Sequence, residues 1–207
     1  MATKHYIDKS VLEATKERIV NVFDSFENYY ISFSGGKDST VMMHLVMQEA
    51  IKRNVKVGVL IIDLEAQYSN TIEHIRNMIT MYESHIDLHW FCGELLLRNA
   101  VSDFQPKWVC WDEESKSIWV REKPIEASDL SQYDFYVPKM DKLTAGLIGI
   151  RSDESLHRYR AIVSAKKNLT LNGWKWTTKL SEKLYNVYPI YDWRTEDIWI
   201  FHSRFKE

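Results

Sequence analysis

Apolar residues early in the chain recur first at helical spacing and then in short runs. Val11, Leu12, Ile19 and Val22 fall on one stripe of a helix running to about Phe23, with Asp8 or Ser10 placed to cap it. Tyr29 to Phe33 reads as a short strand. Val41, Met42, Leu45, Val46 and Ala50 predict a second helix, opened by Asp38 and ending near Arg53 and Asn54. Val55 to Ile62 is almost continuously apolar, as in a parallel strand buried on both faces. A helix from about Asn70 to Glu83 and a strand from Ile86 to Phe91 follow. This β-α-β-α-β order predicts a parallel sheet with right-handed crossovers.

Beyond Gly93 the periodicity weakens. Trp108 to Trp111 and Ser117 to Arg121, separated by the polar run Asp112 to Lys116, read as a β-hairpin. Glu126 to Gln132 reads as a loop, Ala145 to Ile150 as a returning strand, and Asp153 to Ala165 as a helix. Trp174 to Lys179 is a short strand or loop, and Asp192 or Thr195 caps a last helix. The pattern predicts one α/β domain over residues 1–207. Its expected form is an open, mostly parallel sheet with helices on both faces and an aromatic-rich hairpin insert at about 93–142. All eight tryptophans lie beyond residue 89, so the two halves differ in character.

Composition narrows the chemistry. A chain of 207 residues with 45% hydrophobic and 27% charged positions can bury a sizeable core. A net charge of -2 gives no general attraction for nucleic-acid backbones. Cys92 and Cys110 form no C-x-x-C pair, which excludes a disulfide scaffold and leaves no zinc or iron–sulfur pattern. His74, His85 and His89 lack the carboxylate or cysteine spacing that would complete a metal site. No apolar run is long enough to span a bilayer, and a cytoplasmic protein is expected.

The sharpest signal is Ser34-Gly35-Gly36-Lys37-Asp38-Ser39, set between a strand and a helix. Two glycines let an anion approach the main chain. The following amides and the positive end of the helix dipole point at it. Ser34 and Ser39 can donate to phosphate oxygens, and Lys37 adds charge. A Walker A loop would require glycine at Ile31, so this is a different phosphate loop. Asp63 ends the second strand beside that loop. Asp63 or Glu65 could hold a ribose hydroxyl, an adenine amino group or Mg²⁺, or could merely cap the next helix. Arg151 follows the returning strand at the same sheet edge, and its forked donors suit phosphate or sulfate.

These residues carry a family resemblance. Ser34 to Ser39 resembles the pyrophosphate loop of the adenine-nucleotide alpha-hydrolase superfamily. Ile62 to Tyr68, Gly149 to Ser155 and Tyr188 to Trp193 resemble the phosphoadenosine phosphosulfate reductase family, most closely its predicted sulfurtransferases. The resemblance implies an adenine-nucleotide ligand, either ATP or phosphoadenosine phosphosulfate. Ser34, Gly35, Gly36, Lys37, Asp38, Ser39, Asp63, Glu65 and Arg151 would bind it, with Lys37, Arg151 and Asp38 catalytic. Mg²⁺ would sit at Asp38 or Asp63.

An intact Gly-Gly-Lys-Asp-Ser implies a triphosphate cleaved with pyrophosphate release; a nucleotide-sensing module is the alternative. Reductases of the family use a cysteine in a C-terminal Glu-Cys-Gly-Leu-His segment that these residues do not contain. A thioredoxin-coupled reductase is therefore not expected unless Cys92 or Cys110 substitutes. A shortened member is expected instead, working as a homo-oligomer or with a partner chain that supplies the missing C-terminal part.

Overall fold

The computed structural model describes residues 7–128, 141–163 and 170–205. Its first helix, α1 (Val11–Ser25), starts at Ser10 rather than Asp8. The Ser10 hydroxyl accepts from the Glu13 amide at 3.2 Å, and the Glu13 carboxylate accepts from the Ser10 amide at 2.9 Å. This reciprocal capping box satisfies two amides that a helix start leaves without partners. β1 (Asn28–Ser32), α2 (Lys37–Arg53), β2 (Val57–Ile62), α3 (Ser69–Tyr82) and β3 (Ile86–Phe91) then follow in the expected order. Asn54 ends α2 in the left-handed conformation, φ 53°.

Among the described residues the remaining strands and α-helices are β4 (Leu95–Arg98), β5 (Lys107–Cys110), β6 (Ala127–Ser128), β7 (Thr144–Ile148), α4 (Leu156–Val163), β8 (Thr177–Lys179), β9 (Leu184–Val187) and α5 (Thr195–Arg204). Seven strands among the described residues form one sheet in the order β6-β3-β2-β1-β7-β9-β8, in which only the β8–β9 pair is antiparallel. Strand order departs from β1 in both directions, so the sheet has its topological switch point between β1 and β7.

Val57, Val59 and Ile61 of β2 join the main core with Ile31, Leu147 and Val187, while Leu60 packs against Tyr30 on the other face. That two-sided burial explains the unbroken apolar run of β2. Right-handed crossovers put α2 and α3 on one face, where the Thr40 hydroxyl meets His74 Nε2 at 2.8 Å. The β7-to-β9 crossover runs along the sheet in the opposite direction, for which the same hand predicts α4 on the other face.

The hairpin differs from the expected one. β5 pairs with β4, and residues Glu113–Ile118 form a 3₁₀ helix instead of a hairpin loop. Asp112 causes this: its carboxylate accepts from the Glu114 amide at 3.0 Å and the Ser115 hydroxyl at 2.7 Å, and so caps the turn. β6 lies within the stretch expected to be loop, whose residues 129–132 fall outside the described residues. α4 starts three residues after the expected Asp153, because the Ser155 hydroxyl accepts from the Arg158 amide at 3.2 Å and sets the cap. The last helix is entered at Arg194, whose amide donates to Asp197 at 2.8 Å; neither Asp192 nor Thr195 is its N-cap.

Candidate nucleotide-binding site

Chain geometry at the end of β1 builds an open anion cradle. Gly35 has φ +71°, and a Cβ there would lie 2.8 Å from Ile75 Cγ1 and 3.1 Å from Thr71 Cγ2 of α3. Only glycine allows both the conformation and the approach of α3. Gly36 then stands at the N-cap of α2 with no side-chain cap, which leaves the first amides of the helix facing outward. The Ser39 hydroxyl lies 2.9 Å from the Gly36 carbonyl and 3.1 Å from the Ser34 hydroxyl. Thr40 Oγ1 lies 3.0 Å from the same carbonyl, so that oxygen is turned into the helix and away from the mouth.

Arg151 reaches this cradle from the end of β7. Its Nε donates to Asp38 Oδ1 at 2.8 Å, and Lys37 Nζ donates to Asp38 Oδ2 at 2.8 Å, so one carboxylate links both cations. Arg151 Nη1 lies 3.4 Å from the Trp193 carbonyl and from the Thr195 hydroxyl. Among the described residues Nη2 has no hydrogen-bond acceptor. Gly149 makes the approach of β7 to α2 possible. A Cβ at Gly149 would stand 2.9 Å from Ser39 Cα and 3.0 Å from Ser39 N. Glu154 accepts from the Arg151 amide at 3.1 Å and pairs with Arg158, which therefore points at its own helix turn rather than at the loop.

On the β2 side the carboxylates turn inward. Asp63 is fully buried; Oδ2 accepts from Trp90 Nε1 at 2.9 Å, and Oδ1 accepts from the Glu65 amide at 2.8 Å and from Arg121 Nη2. Glu65 Oε2 accepts from the Trp111 amide at 2.7 Å and Oε1 from the Val120 amide at 2.9 Å. Trp111 Nε1 donates to the Asp63 carbonyl at 2.9 Å, and Arg121 Nε donates to the Glu65 carbonyl at 3.0 Å while its guanidinium lies 5.0 Å from the Trp111 ring centroid.

Glu65 (φ 62°) and Trp111 (φ 54°) both hold left-handed backbones, a strain tolerated because these bonds over-determine them. Asp63 and Glu65 thus clamp the tryptophan-rich segment onto the sheet. Protein donors occupy the oxygens of Asp63 and Glu65, so these two side chains do not fit a protein-held Mg²⁺. Among the described residues no group of three or more His, Cys, Asp or Glu side chains is arranged to hold a metal ion.

Neither cysteine is placed as a nucleophile. Burial and then the nearby Asp63 carboxylate push the Cys92 thiol up to about 12, and burial followed by the Glu65 charge pushes Cys110 up as well. Both thiols are buried.

A family model described as the phosphoadenosine phosphosulfate reductase domain matches residues 28–206. The chain belongs to that family. The Escherichia coli (strain K12) relative described as uncharacterized protein YbdN is 35% identical to this reductase-family domain over 212 residues, which cover 94% of the chain and 52% of YbdN. The chain therefore spans about half the length of that relative. Among solved structures, Candida glabrata FMN adenylyltransferase superposes with a TM-score of 0.54 at 17% identity, covering 92% of this chain and 53% of that one. Phosphoadenylyl-sulfate reductase from Candida auris, solved as a phosphate complex, gives a TM-score of 0.53 at 11% identity, covering 98% and 89%. At these identities the likeness is one of fold.

In this family domain the structure brings Ser34 to Ser39 and Arg151 together and turns the Asp63 and Glu65 carboxylates into the wall. Sequence reading missed Arg121, Trp111, Gly149 and His202 as parts of the arrangement. Gly149 lies inside a motif already singled out; the others carry no local signal. No helix among the described residues is long and apolar enough to cross a membrane. An apolar cavity of about 380 Å³ lies between α1, α2 and α5, lined in part by Leu12, Leu45 and Phe201, and touches none of the loop residues.

Proposed function

We propose that this domain binds an adenine nucleotide with its phosphates on Gly35 to Ser39 and cleaves ATP at the α-phosphate. The acceptor oxygen forms a bond to the α-phosphorus, and the bridging P–O bond breaks with its electron pair leaving on pyrophosphate. The observation that carries this reading is the Lys37–Asp38–Arg151 linkage at an uncapped helix start.

A phosphate group entering the cradle replaces the Asp38 carboxylate as the anion shared by Lys37 and Arg151. Arg151, only 2% exposed, acts where water screens it little, and its Nη2 is placed to take a second oxygen. Both cations would then stabilise the charge that develops on the leaving pyrophosphate. Asp63 and Glu65 are assigned to holding the wall beside the nucleotide. The fold shared with an FMN adenylyltransferase, which has also been solved with ATP, supports this class of transfer.

A second reading places phosphoadenosine phosphosulfate in the same cleft, in keeping with the family's description. Attack on sulfur by a cysteine of this domain is disfavoured by the buried, raised thiols. Pyrophosphate release from ATP with Mg²⁺, beside thermal shifts with ATP and with phosphoadenosine phosphosulfate, separates the readings. Turnover of ATP and its loss in Lys37→Ala and Arg151→Ala are expected. Stabilisation by ATP without turnover would support a nucleotide sensor or a transferase that awaits its acceptor. Unchanged ATP affinity in both variants would sink the site assignment.

A further inference from the structure

α5 touches the loop assembly near both of its ends. At its start, the Trp193 carbonyl and Thr195 hydroxyl accept from Arg151. In its last turns, His202 Nε2 lies 3.0 Å from the Lys37 carbonyl. Thr195 and His202 are seven residues apart, about two helical turns, so one face of α5 carries both contacts. A carbonyl only accepts, so Nε2 carries the proton in this bond, whether the ring is neutral or charged.

The peptide linking Lys37 to Asp38 is planar, and fixing its carbonyl fixes the Asp38 N–H on the opposite side. That N–H is one of the first amides of α2, which no side chain caps. The rest of α5 is anchored independently. Ile198 is fully buried, and the Phe201 and Phe205 rings lie 6.2 Å and 4.1 Å from His44 of α2 between centroids.

Resting on the phosphate-loop reading above, we propose that His202 is a positioning residue of the anion loop. It holds the Lys37–Asp38 peptide so that the Asp38 amide faces a bound phosphate. It touches neither the nucleotide nor the reacting atoms.

Two variants and two readouts test this in the full chain. His202→Phe keeps a ring without a donor; His202→Gln keeps a donor near the Nε2 position. Inorganic pyrophosphate binding by titration calorimetry is expected to weaken about fivefold in His202→Phe and to return in His202→Gln. NMR order parameters of the Lys37 and Asp38 amides, without ligand, are expected to fall in the first variant and recover in the second. Wild-type-like binding in His202→Phe overturns the role. So does weakened binding with unchanged amide order, since His202 would then act on the ligand itself. A wild-type chain that binds neither pyrophosphate nor ATP overturns the phosphate-loop reading and with it the role at the phosphate, whatever the amides show.

Discussion

Arg151 and Asp38 stand 113 residues apart in the chain, and their side chains meet at 2.8 Å in the first turn of α2. Both are nearly out of solvent, with side-chain exposures of 3% and 11%. Removing Asp38 leaves Arg151 with the more distant, exposed Asp153 carboxylate at 3.6 Å, so the loss falls at or below the low end of the about 3–5 kcal/mol that an unpaired buried charge costs. Asp38→Asn is expected to lose about 3 kcal/mol in urea unfolding. Asp38→Asn with Arg151→Met should lose at least about 1 kcal/mol less than the sum of the single changes. Strictly additive losses would show that the two groups do not act as a pair.

Gly149→Ala tests the contact between β7 and the loop helix. The new Cβ meets backbone atoms of Ser39, which cannot swing aside as a side-chain tip can. A loss of about 1–3 kcal/mol is expected, with weaker pyrophosphate binding because β7 and α2 are forced apart. A variant with normal stability and affinity would mean that the strand end yields freely.

Asp63→Asn separates a wall role from a ligand role. Arg121 loses its charged acceptor and Trp90 Nε1 a charge-assisted one. Stability should fall by about 3 kcal/mol, with a red shift in tryptophan emission as the segment around Trp111 loosens. ATP affinity, measured well below the unfolding midpoint, should change less than about threefold. Lost affinity at normal stability would return Asp63 to the ligand shell.

Cys92 gives the protein an alkaline sensitivity. Burial and the Asp63 charge raise its thiol from an ordinary value of 9.0 to about 12 in the folded chain. The unfolded chain therefore gives up this proton first as pH rises. The thiol's contribution to stability is intact below the unfolded value and is lost as pH climbs from 9.0 toward about 12. Iodoacetamide at pH 8, read by mass spectrometry, should label Cys92 only after urea unfolding. Labelling of the native chain at the rate of a free thiol would refute the burial argument.

Much of the first half was legible in sequence because its signals are local. The stripe of α1, the unbroken apolar run of β2 and the strand–glycine–helix junction at Gly35 and Gly36 all lie within windows of a few turns. The second half hid its elements for the same reason in reverse. β6 has two residues and β9 four, too short for periodicity, and β4 has four and finds its partner across a long loop. Asp112 looked like part of a hairpin loop, yet its carboxylate caps a 3₁₀ turn.

By itself the sequence determined the order of the central elements, the glycine-built loop with Lys37 and Asp38, and the placing of Arg151 after a returning strand. These depend on side-chain spacing and on backbone freedom, both properties of neighbours in the chain. Tertiary structure alone decided what each charged or polar group does. Arg121 finds Asp63 across 58 residues, Arg151 finds Asp38 across 113, and His202 finds the Lys37 carbonyl across 165. Whether a buried carboxylate serves a ligand or the wall depends on which donors packing brings to it, and those donors come from distant parts of the fold.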